Sequence, residues 1–453
     1  MLGMEIEKIK VSVIIYVKND YCHTERCIKS VLNQTLREME VLIIDGGSTD
    51  GTKELAEKIA SEDYRVRVIS SEPGVGAQFN LGLREAKGEY IGICESDDYL
   101  LPEMYQEEYE TSVQYQLDIV RADFNRFFEI EGKEIIFPVA IADSPNLYNC
   151  IIHPKKDRSI LRAGSQGFWS GLYRRKFLLE QGITMNETPG ASYQDMGFAF
   201  LSTICAERIM LLKQAFYCYR MDNPNSSENS PKKLTMVTDE YQLLKERLFK
   251  ENLFEEYKEW YFFWKVNGML WFYNRLSGTV KAEYASLMHH EIEDELKFTG
   301  YSGSELSFAC REVVNKAKES YHALLTYFQQ VNQDLQKMEQ AIKGIHADQT
   351  IVIFGNGNMG KLLRCFMEYH EKKLAAYVDN NQKLWGSMEN KIPVMAPEDA
   401  VKSYPDAVYM IANINAYLEM KKQLLDLDVK EENIVVCNNY EKILVCLQKS
   451  VMG

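Results

Sequence analysis

From Val11 onward, short runs of β-branched and aliphatic residues alternate with stretches in which apolar positions recur at helical spacing. VSVIIYV precedes a helical pattern to Gln34, VLIID one to Ser61 and VRVIS one to Lys87, and YIGICES closes the series. Strands separated by helices require crossover connections, so the pattern predicts a parallel sheet in an α/β domain. Residues 115 to 230 read as more irregular, with Pro138, Pro145, Pro154, Pro189 and Pro224 punctuating loops and short elements. From Met236 to Ile345 strand signals almost vanish, and Leu, Phe, Tyr and Trp recur at helical spacing among lysines and glutamates, predicting a helical bundle or connector. At Gln349 the alternation returns. TIVIFGNGNMGKLLRCFMEY reads as strand, glycine turn and helix, followed by the strand LAAYVDN, a proline-marked loop and the strand AVYMIA. The expected division is 1–235, 236–346 and 347–453.

Length agrees, since 453 residues make about three times the usual domain size. Apolar residues at 46% and charged residues at 26% are globular proportions, away from the signature of disorder. The net charge of -14, from 66 acidic and 52 basic residues, argues against binding to a phosphate backbone, which needs a basic face, so no nucleic-acid partner is expected. The ten cysteines include no CxxC pair and no Cys/His spacing suited to tetrahedral zinc; they read as small buried hydrophobes of a reducing cytosol. No run approaches about 18 uninterrupted apolar residues, and Met1 to Lys10 has no signal-peptide core. A soluble or peripheral, cytoplasmic chain is expected.

In open parallel sheets ligands sit outside the carboxyl ends of the strands. Three such ends carry polar clusters: Tyr16 to Asp20, Asp45 to Gly51, and Glu95 to Asp98. In DGGSTDG the glycines allow close approach of backbone to a ligand, and Asp45 can accept hydrogen bonds from a base or ribose; the same text also fits a helix N-cap after a tight turn. Glu95, Asp97 and Asp98 put three carboxylates within four residues, a crowding that repels itself unless a cation is present. Mg2+ or Mn2+ takes such oxygen ligands and completes its shell with substrate phosphates, so the cluster points to a metal-bound diphosphate, against the alternative of a solvated acidic loop.

The segments VSVIIYVKND, SVLNQT, VLIIDGGSTDGT, SEPGVG through AQFNLGLREAKGEYIG, and ESDD stand in one order over residues 11 to 101. Together they resemble the family 2 glycosyltransferases, inverting enzymes of the GT-A fold. The resemblance implies nucleotide-sugar binding by Tyr16, Asn19, Asp45, Gly47, Ser48, Asp50, Gln78, Asn80 and Asp97, with Asp97, Asp98 and Glu95 holding the divalent cation, Mn2+ or Mg2+. A UDP-sugar is the favoured donor. The chain departs from the family pattern at Tyr16-Val17-Lys18-Asn19, where Pro-Val-Tyr-Asn is common. It departs again at Asp45-Gly46-Gly47-Ser48, where Asp-Asp-Gly-Ser is common, and at Glu95, where Asp is usual.

An inverting transfer needs a general base for the acceptor hydroxyl. The family supplies it from a later Glu-Asp; here the matching text is TPGASYQDMGFAF, with Gln194 in place of the acid and Asp195 retained. Asp195 is the catalytic candidate, and capping of the helix that follows is the alternative. Residues 115 to 230 read as the acceptor side. Trp169 can stack on a sugar face and Arg220, in a segment with Asn223 and Ser226, can pair with a phosphate oxygen; packing roles serve equally.

EWYFFWKVNGMLWFYNRL, from Glu259 to Leu276, is too dense in aromatics for a solvent-facing helix and reads as a core helix, with a membrane-surface contact as the alternative. In the C-terminal unit Gly355, Gly357 and Gly360 form GxGxxG between strand and helix, with Asp379 ending the next strand where a ribose-binding acid is expected. This unit resembles the small Rossmann-like domains appended to sugar-modifying enzymes and lacks an acid, base or nucleophile constellation, which favours a binding, regulatory or oligomerisation role. The reading is thus a metal-dependent inverting glycosyltransferase acting on a glycan or lipid-linked acceptor in cell-surface polysaccharide synthesis, cytoplasmic or at the inner face of the membrane. A homo-oligomer is left open. The alternatives are an NAD(P)-dependent oxidoreductase or epimerase centred on the C-terminal glycines, and a non-catalytic nucleotide-sugar-binding protein.

Overall fold

The structure, a computed structural model, describes residues 8–130, 132–142, 144–163, 167–191, 193–223, 233–276, 278–346, 348–413 and 416–437. The chain divides into two compact units, Met1–Phe127 with Pro138–Lys265, and Phe128–Phe137 with Val266–Gly453.

The first unit opens with β1 (Val11–Val17), α1 (Tyr21–Leu32), β2 (Met39–Asp45), α2 (Thr52–Glu62), β3 (Val66–Ser70), α3 (Val75–Glu85) and β4 (Tyr90–Ile93). Every residue of β1, β2 and β4 is buried, as expected for a parallel sheet covered on both faces, and this explains their unbroken apolar runs. There follow β5 (Tyr99–Leu100), α4 (Met104–Tyr115), β6 (Ile119–Ile130), β7 (Lys133–Val139), α5 (Ile160–Ala163), β8 (Gly171–Arg174), α6 (Arg175–Glu180), α7 (Gln194–Cys205), β9 (Ile209–Arg220) and α8 (Met236–Lys250), of which the end of β6 and most of β7 fall in the Phe128–Phe137 segment counted with the second unit. The sheet runs β3-β2-β1-β4-β8-β6-β9-β5, with β7 paired to β6. β1 to β4 are mutually parallel as predicted, but β8 enters antiparallel to both β4 and β6, so the sheet is mixed. β6 lies in the stretch that reads as irregular because Arg121, Asp123 and Arg126 interrupt its apolar run. All three are buried, and Asp123 accepts bonds from the Ile141 amide and the Tyr148 hydroxyl.

α9 (Phe254–Arg275) is followed by α10 (Val280–Thr299), α11 (Phe308–Glu319) and α12 (Tyr321–Gly344), as the helical spacing predicts. Ser307 and Ser320 cap α11 and α12 by accepting from the amides of Cys310 and Ala323. Of the aromatic residues of α9, Trp260, Tyr261, Phe262, Phe263, Trp264, Phe272 and Tyr273 are buried and Trp271 is half-buried, so most of its aromatic surface is packed away. Among the described residues no helix is long and apolar enough to cross a membrane.

The second unit ends in a separate sheet built from β10 (Ile351–Phe354), α13 (Asn358–Tyr369), β11 (Leu374–Val378), β12 (Met388–Glu389), β13 (Ile392–Met395), α14 (Pro397–Ser403), β14 (Val408–Ile411), α15 (Tyr417–Asp426) and β15 (Ile434–Val436). Its order is β12-β13-β11-β10-β14-β15, parallel except for the β12–β13 hairpin. β13 occupies what the sequence presents as a proline-marked loop; Pro393 stands in this strand, opposite Met388 of β12. Val352, Phe354, Val378, Tyr409, Ile411 and Leu424 form the core.

Candidate active site

Parallel pairing in register, Val17 with Asp45 and Ile14 with Ile93, brings the carboxyl ends of β1, β2 and β4 to one edge of the sheet. The three polar clusters of the sequence therefore meet there. Asp45 is buried at the end of β2 and accepts from the amides of Gly47 (3.1 Å) and Ser48 (3.2 Å), closing a tight turn over its own carboxylate. The Asn19 amide donates to Ser48 Oγ (2.9 Å), and the Thr49 amide donates to Asn19 Oδ1 (2.8 Å), which staples the loop after β1 to the loop after β2. Asp50 accepts from the amides of Tyr21 (3.1 Å) and Thr52 (3.1 Å), so it satisfies early amides of both α1 and α2. Beneath the turn, Gln78 donates to the carbonyls of Val17 (3.0 Å) and Ile44 (2.6 Å), and a Cβ on Gly46 would lie 2.9 Å from its Oε1.

Glu95, Asp97 and Asp98 converge just beyond β4, with carboxylate oxygens within 4.8 Å of one another. Tyr16 donates its hydroxyl to Glu95 Oε1 (2.8 Å). Asp98, 1% exposed, accepts from the Tyr217 hydroxyl at Oδ2 (2.6 Å) and from the Arg220 amide at Oδ1 (2.7 Å). Asp97 accepts from Asn223 Nδ2 (2.7 Å). Burial, then the charges of Asp97 and Glu95, hold Asp98 well above the usual carboxylate range; burial also raises Asp97. The Tyr16 hydroxyl is pushed up by burial and then by Glu95, with Asp195 and Asp98 adding to the rise. Three hard anionic oxygen donors that repel one another, Asp98 buried and Glu95 and Asp97 half-buried, fit a divalent cation such as Mg2+ or Mn2+ by donor chemistry.

Asp195 is in the first turn of α7, whose N-cap is Tyr193, at φ 65°, so Asp195 itself does not occupy the cap position. The neighbouring Gln194 is buried and turns its amide away, donating to the carbonyls of Thr188 (3.1 Å) and Gly190 (3.0 Å) and to Thr188 Oγ1 (2.9 Å). The same loop is held by Glu240, which accepts from Asn186 Nδ2 (2.7 Å) and Thr188 Oγ1 (2.5 Å), and by Asn80, which donates to the Met185 carbonyl and to Glu187 Oε1 (3.0 Å).

Trp169 is 6% exposed, and its ring stacks at 4.0 Å on Tyr217 and at 5.1 Å on Tyr219, leaving little face for a sugar. The Arg220 side chain is also largely covered, 7% exposed: Nε donates to the Asp97 carbonyl (3.1 Å) and Nη1 pairs with Asp222 (3.0 Å). Ser226 lies outside the described residues. The sequence did not single out Tyr217, nor Ser96, whose hydroxyl donates to Asp20 Oδ2 (2.7 Å) while Asp20 Oδ1 meets His23 Nδ1 (2.6 Å). Asp20 and Ser96 stand in strand-end segments of the sequence, but nothing local marks His23 or Tyr217.

In the second unit Gly355, at φ 116°, packs against the Ala412 carbonyl, and a Cβ on Gly360 would meet the Gly355 carbonyl at 2.0 Å. Gly357, by contrast, faces open space at the N-terminus of α13. Asp379 accepts from the amides of Asn356 (3.1 Å) and Asn381 (2.8 Å), so its carboxylate braces the glycine turn.

Residues 12–135 match the family described as glycosyl transferase family 2, and residues 347–435 match the family described as C2185-like, N-terminal. The uncharacterized glycosyltransferase EpsJ of Bacillus subtilis is 31% identical over 232 residues, 50% of this chain and 65% of its own length; this chain thus spans less than two thirds of that relative. Cholesterol galactosyltransferase of Borreliella burgdorferi is 28% identical over 273 residues, 57% of this chain and 75% of its own. The crystal structure of S. aureus TarS residues 1–349 with UDP-GlcNAc aligns at 17% identity with a TM-score of 0.44, covering 71% of this chain and 92% of the other. Residues 12–135 are thus similar to the family 2 glycosyl transferases, and the sequence relatives bear glycosyltransferase names.

Proposed function

We propose that this chain is a metal-dependent inverting glycosyltransferase that moves a sugar from a nucleotide-sugar donor, a UDP-sugar by preference, to a hydroxyl of a glycan or lipid-linked acceptor. The observation that carries this reading is the convergence of Glu95, Asp97 and Asp98 beside the stapled loops of β1 and β2. Relatives bearing glycosyltransferase names, a cholesterol galactosyltransferase among them, support a hydroxyl acceptor of glycan or lipid class.

In this reading Asp45 and the loop from Gly47 to Asp50, together with Asn19, receive the nucleoside. Gln78 and Asn80 serve it indirectly, by fixing the backbone around it. Asp97, Asp98 and Glu95 hold Mn2+ or Mg2+, which when bound neutralises diphosphate charge as a Lewis acid. Asp195 takes the proton of the acceptor hydroxyl as its oxygen bonds to the anomeric carbon; the bond from that carbon to the diphosphate oxygen breaks, and the electron pair leaves with the nucleoside diphosphate. Residues 1–235 are then the GT-A domain and 236–346 a helical region. Residues 347–453 form a Rossmann-like domain with a binding, regulatory or oligomerisation role, its open glycine edge at Gly357 being the place for a nucleotide. A cytoplasmic site of action, at or near the inner face of the membrane, suits a lipid-linked acceptor. The test is release of nucleoside diphosphate from a panel of sugar nucleotides with Mn2+ and then with EDTA: turnover that EDTA abolishes supports the reading, and turnover indifferent to EDTA removes the metal from it.

A further inference from the structure

We propose that Tyr217 and Asn223 are positioning residues that set Asp98 and Asp97 in the orientation needed to hold a divalent cation, and that Trp169 acts through Tyr217. The inference rests on the metal reading above and goes beyond the carboxylates themselves.

Antiparallel pairing of β5 with β9 sets Leu100 opposite Tyr217, which carries the Tyr217 hydroxyl to the acidic segment from more than a hundred residues away. That hydroxyl does two things at once. It donates to Asp98 Oδ2 (2.6 Å), and it accepts the backbone amide of Glu95 (3.0 Å), so one group bridges the first and last acids of the cluster. The Arg220 amide occupies the other oxygen of Asp98 (2.7 Å), leaving the carboxylate plane fixed by a donor on each side. Asn223 does the same for Asp97 from one oxygen (2.7 Å), while Arg220 Nε holds the Asp97 carbonyl (3.1 Å).

Three carboxylates within four residues, one of them buried and two half-buried, turn away from one another unless each is restrained. Neutral donors that each engage one lone pair restrain them without cancelling the charge a cation needs, and carboxylate ligands are oriented by such partners in general. Tyr217 is itself fully buried with its ring stacked on Trp169 at 4.0 Å and 24°, and Trp169 lies edge-on to Phe124 at 4.8 Å. Trp169, an acceptor candidate in the sequence, is thereby given a role in holding the hydroxyl that holds Asp98.

The test uses the full chain and Mn2+, followed by the free-ion paramagnetic resonance signal with UDP, GDP and dTDP present. Tyr217→Phe keeps the ring and its stacking and removes one oxygen; Asn223→Ala removes one donor at a less enclosed position and serves if Tyr217→Phe does not fold. The expected result is Mn2+ affinity about 10- to 100-fold weaker in each, with an unchanged far-ultraviolet spectrum, and turnover restored by raising Mn2+. Variant affinities within twofold of the unsubstituted chain, or turnover losses that Mn2+ does not restore, overturn the positioning role. If the unsubstituted chain takes up no Mn2+, the metal reading fails first and this inference falls with it.

Discussion

Asn80 and Met185 exchange a pair of hydrogen bonds, side-chain Nδ2 to the Met185 carbonyl at 2.9 Å and the Met185 amide to Oδ1 at 3.0 Å, so that a residue of α3 acts as a strand partner for the loop leading to Asp195. Asn80 is 5% exposed, and an alanine there leaves a buried amide and carbonyl unpaired. Asn80→Ala should cost about 1–3 kcal/mol of stability and lower turnover more than donor affinity, because the loop before α7 loses its anchor. Thermal melts with donor titrations check this; an unchanged melting temperature contradicts it.

Asp195→Asn keeps the shape of the side chain and removes its basicity. Turnover should fall by about 10²- to 10⁴-fold while donor binding stays within twofold. Single-turnover rates alongside calorimetric donor binding separate the two, and full turnover in the variant excludes Asp195 as the base.

How much of this was legible in the chain depends on whether the signal is local. β1, α1, β2, α2, β3, α3 and β4 were readable because short apolar runs alternate there with stretches at helical spacing, and the acids at 95, 97 and 98 were readable because they crowd within four residues of sequence. β8, only four residues long, carries no period at all, so the reversal that makes the sheet mixed was hidden. The supports of the acids were hidden for a different reason. Tyr217 and Asn223 become neighbours of Asp98 and Asp97 through the pairing of β5 with β9, and a two-residue strand announces no partner. Gln78 and Asn80 were named only through the family resemblance, and nothing in the sequence told that their amides face backbone carbonyls.

Glu108 offers a test of burial alone. It is fully buried in α4, and neither carboxylate oxygen has a hydrogen-bond partner among the described residues. Burial holds its carboxyl well above the ordinary value of 4.5, so the folded chain keeps the proton longer than the unfolded chain does. The stability cost is absent below the ordinary value, grows as pH rises from there to the folded value, and is constant above it. Glu108→Met should therefore raise stability at pH 8 by about 1–3 kcal/mol, with the gain shrinking as pH falls toward 4.5. Denaturant unfolding across that range reads it, and a gain that is larger at low pH contradicts the assignment.

The C-terminal glycines should separate by role. Gly360→Ala forces a Cβ to 2.0 Å from the Gly355 carbonyl and should destabilise the second unit by about 1–3 kcal/mol, whereas Gly357→Ala, facing open space, should change stability by less than about 0.5 kcal/mol. Hydrogen exchange in residues 351–378 reports on this unit directly, and equal effects of the two changes contradict the packing described.

The most direct measurement is thermal stabilisation of the purified chain by UDP-, GDP-, dTDP- and CMP-sugars, each with Mn2+, Mg2+ or EDTA, beside a chain carrying Asp97→Ala and Asp98→Ala. A sugar nucleotide that raises the melting temperature only with metal, and not at all in the double variant, is the predicted result. Stabilisation by NAD(P) with no metal-dependent effect of any sugar nucleotide contradicts the account at its centre.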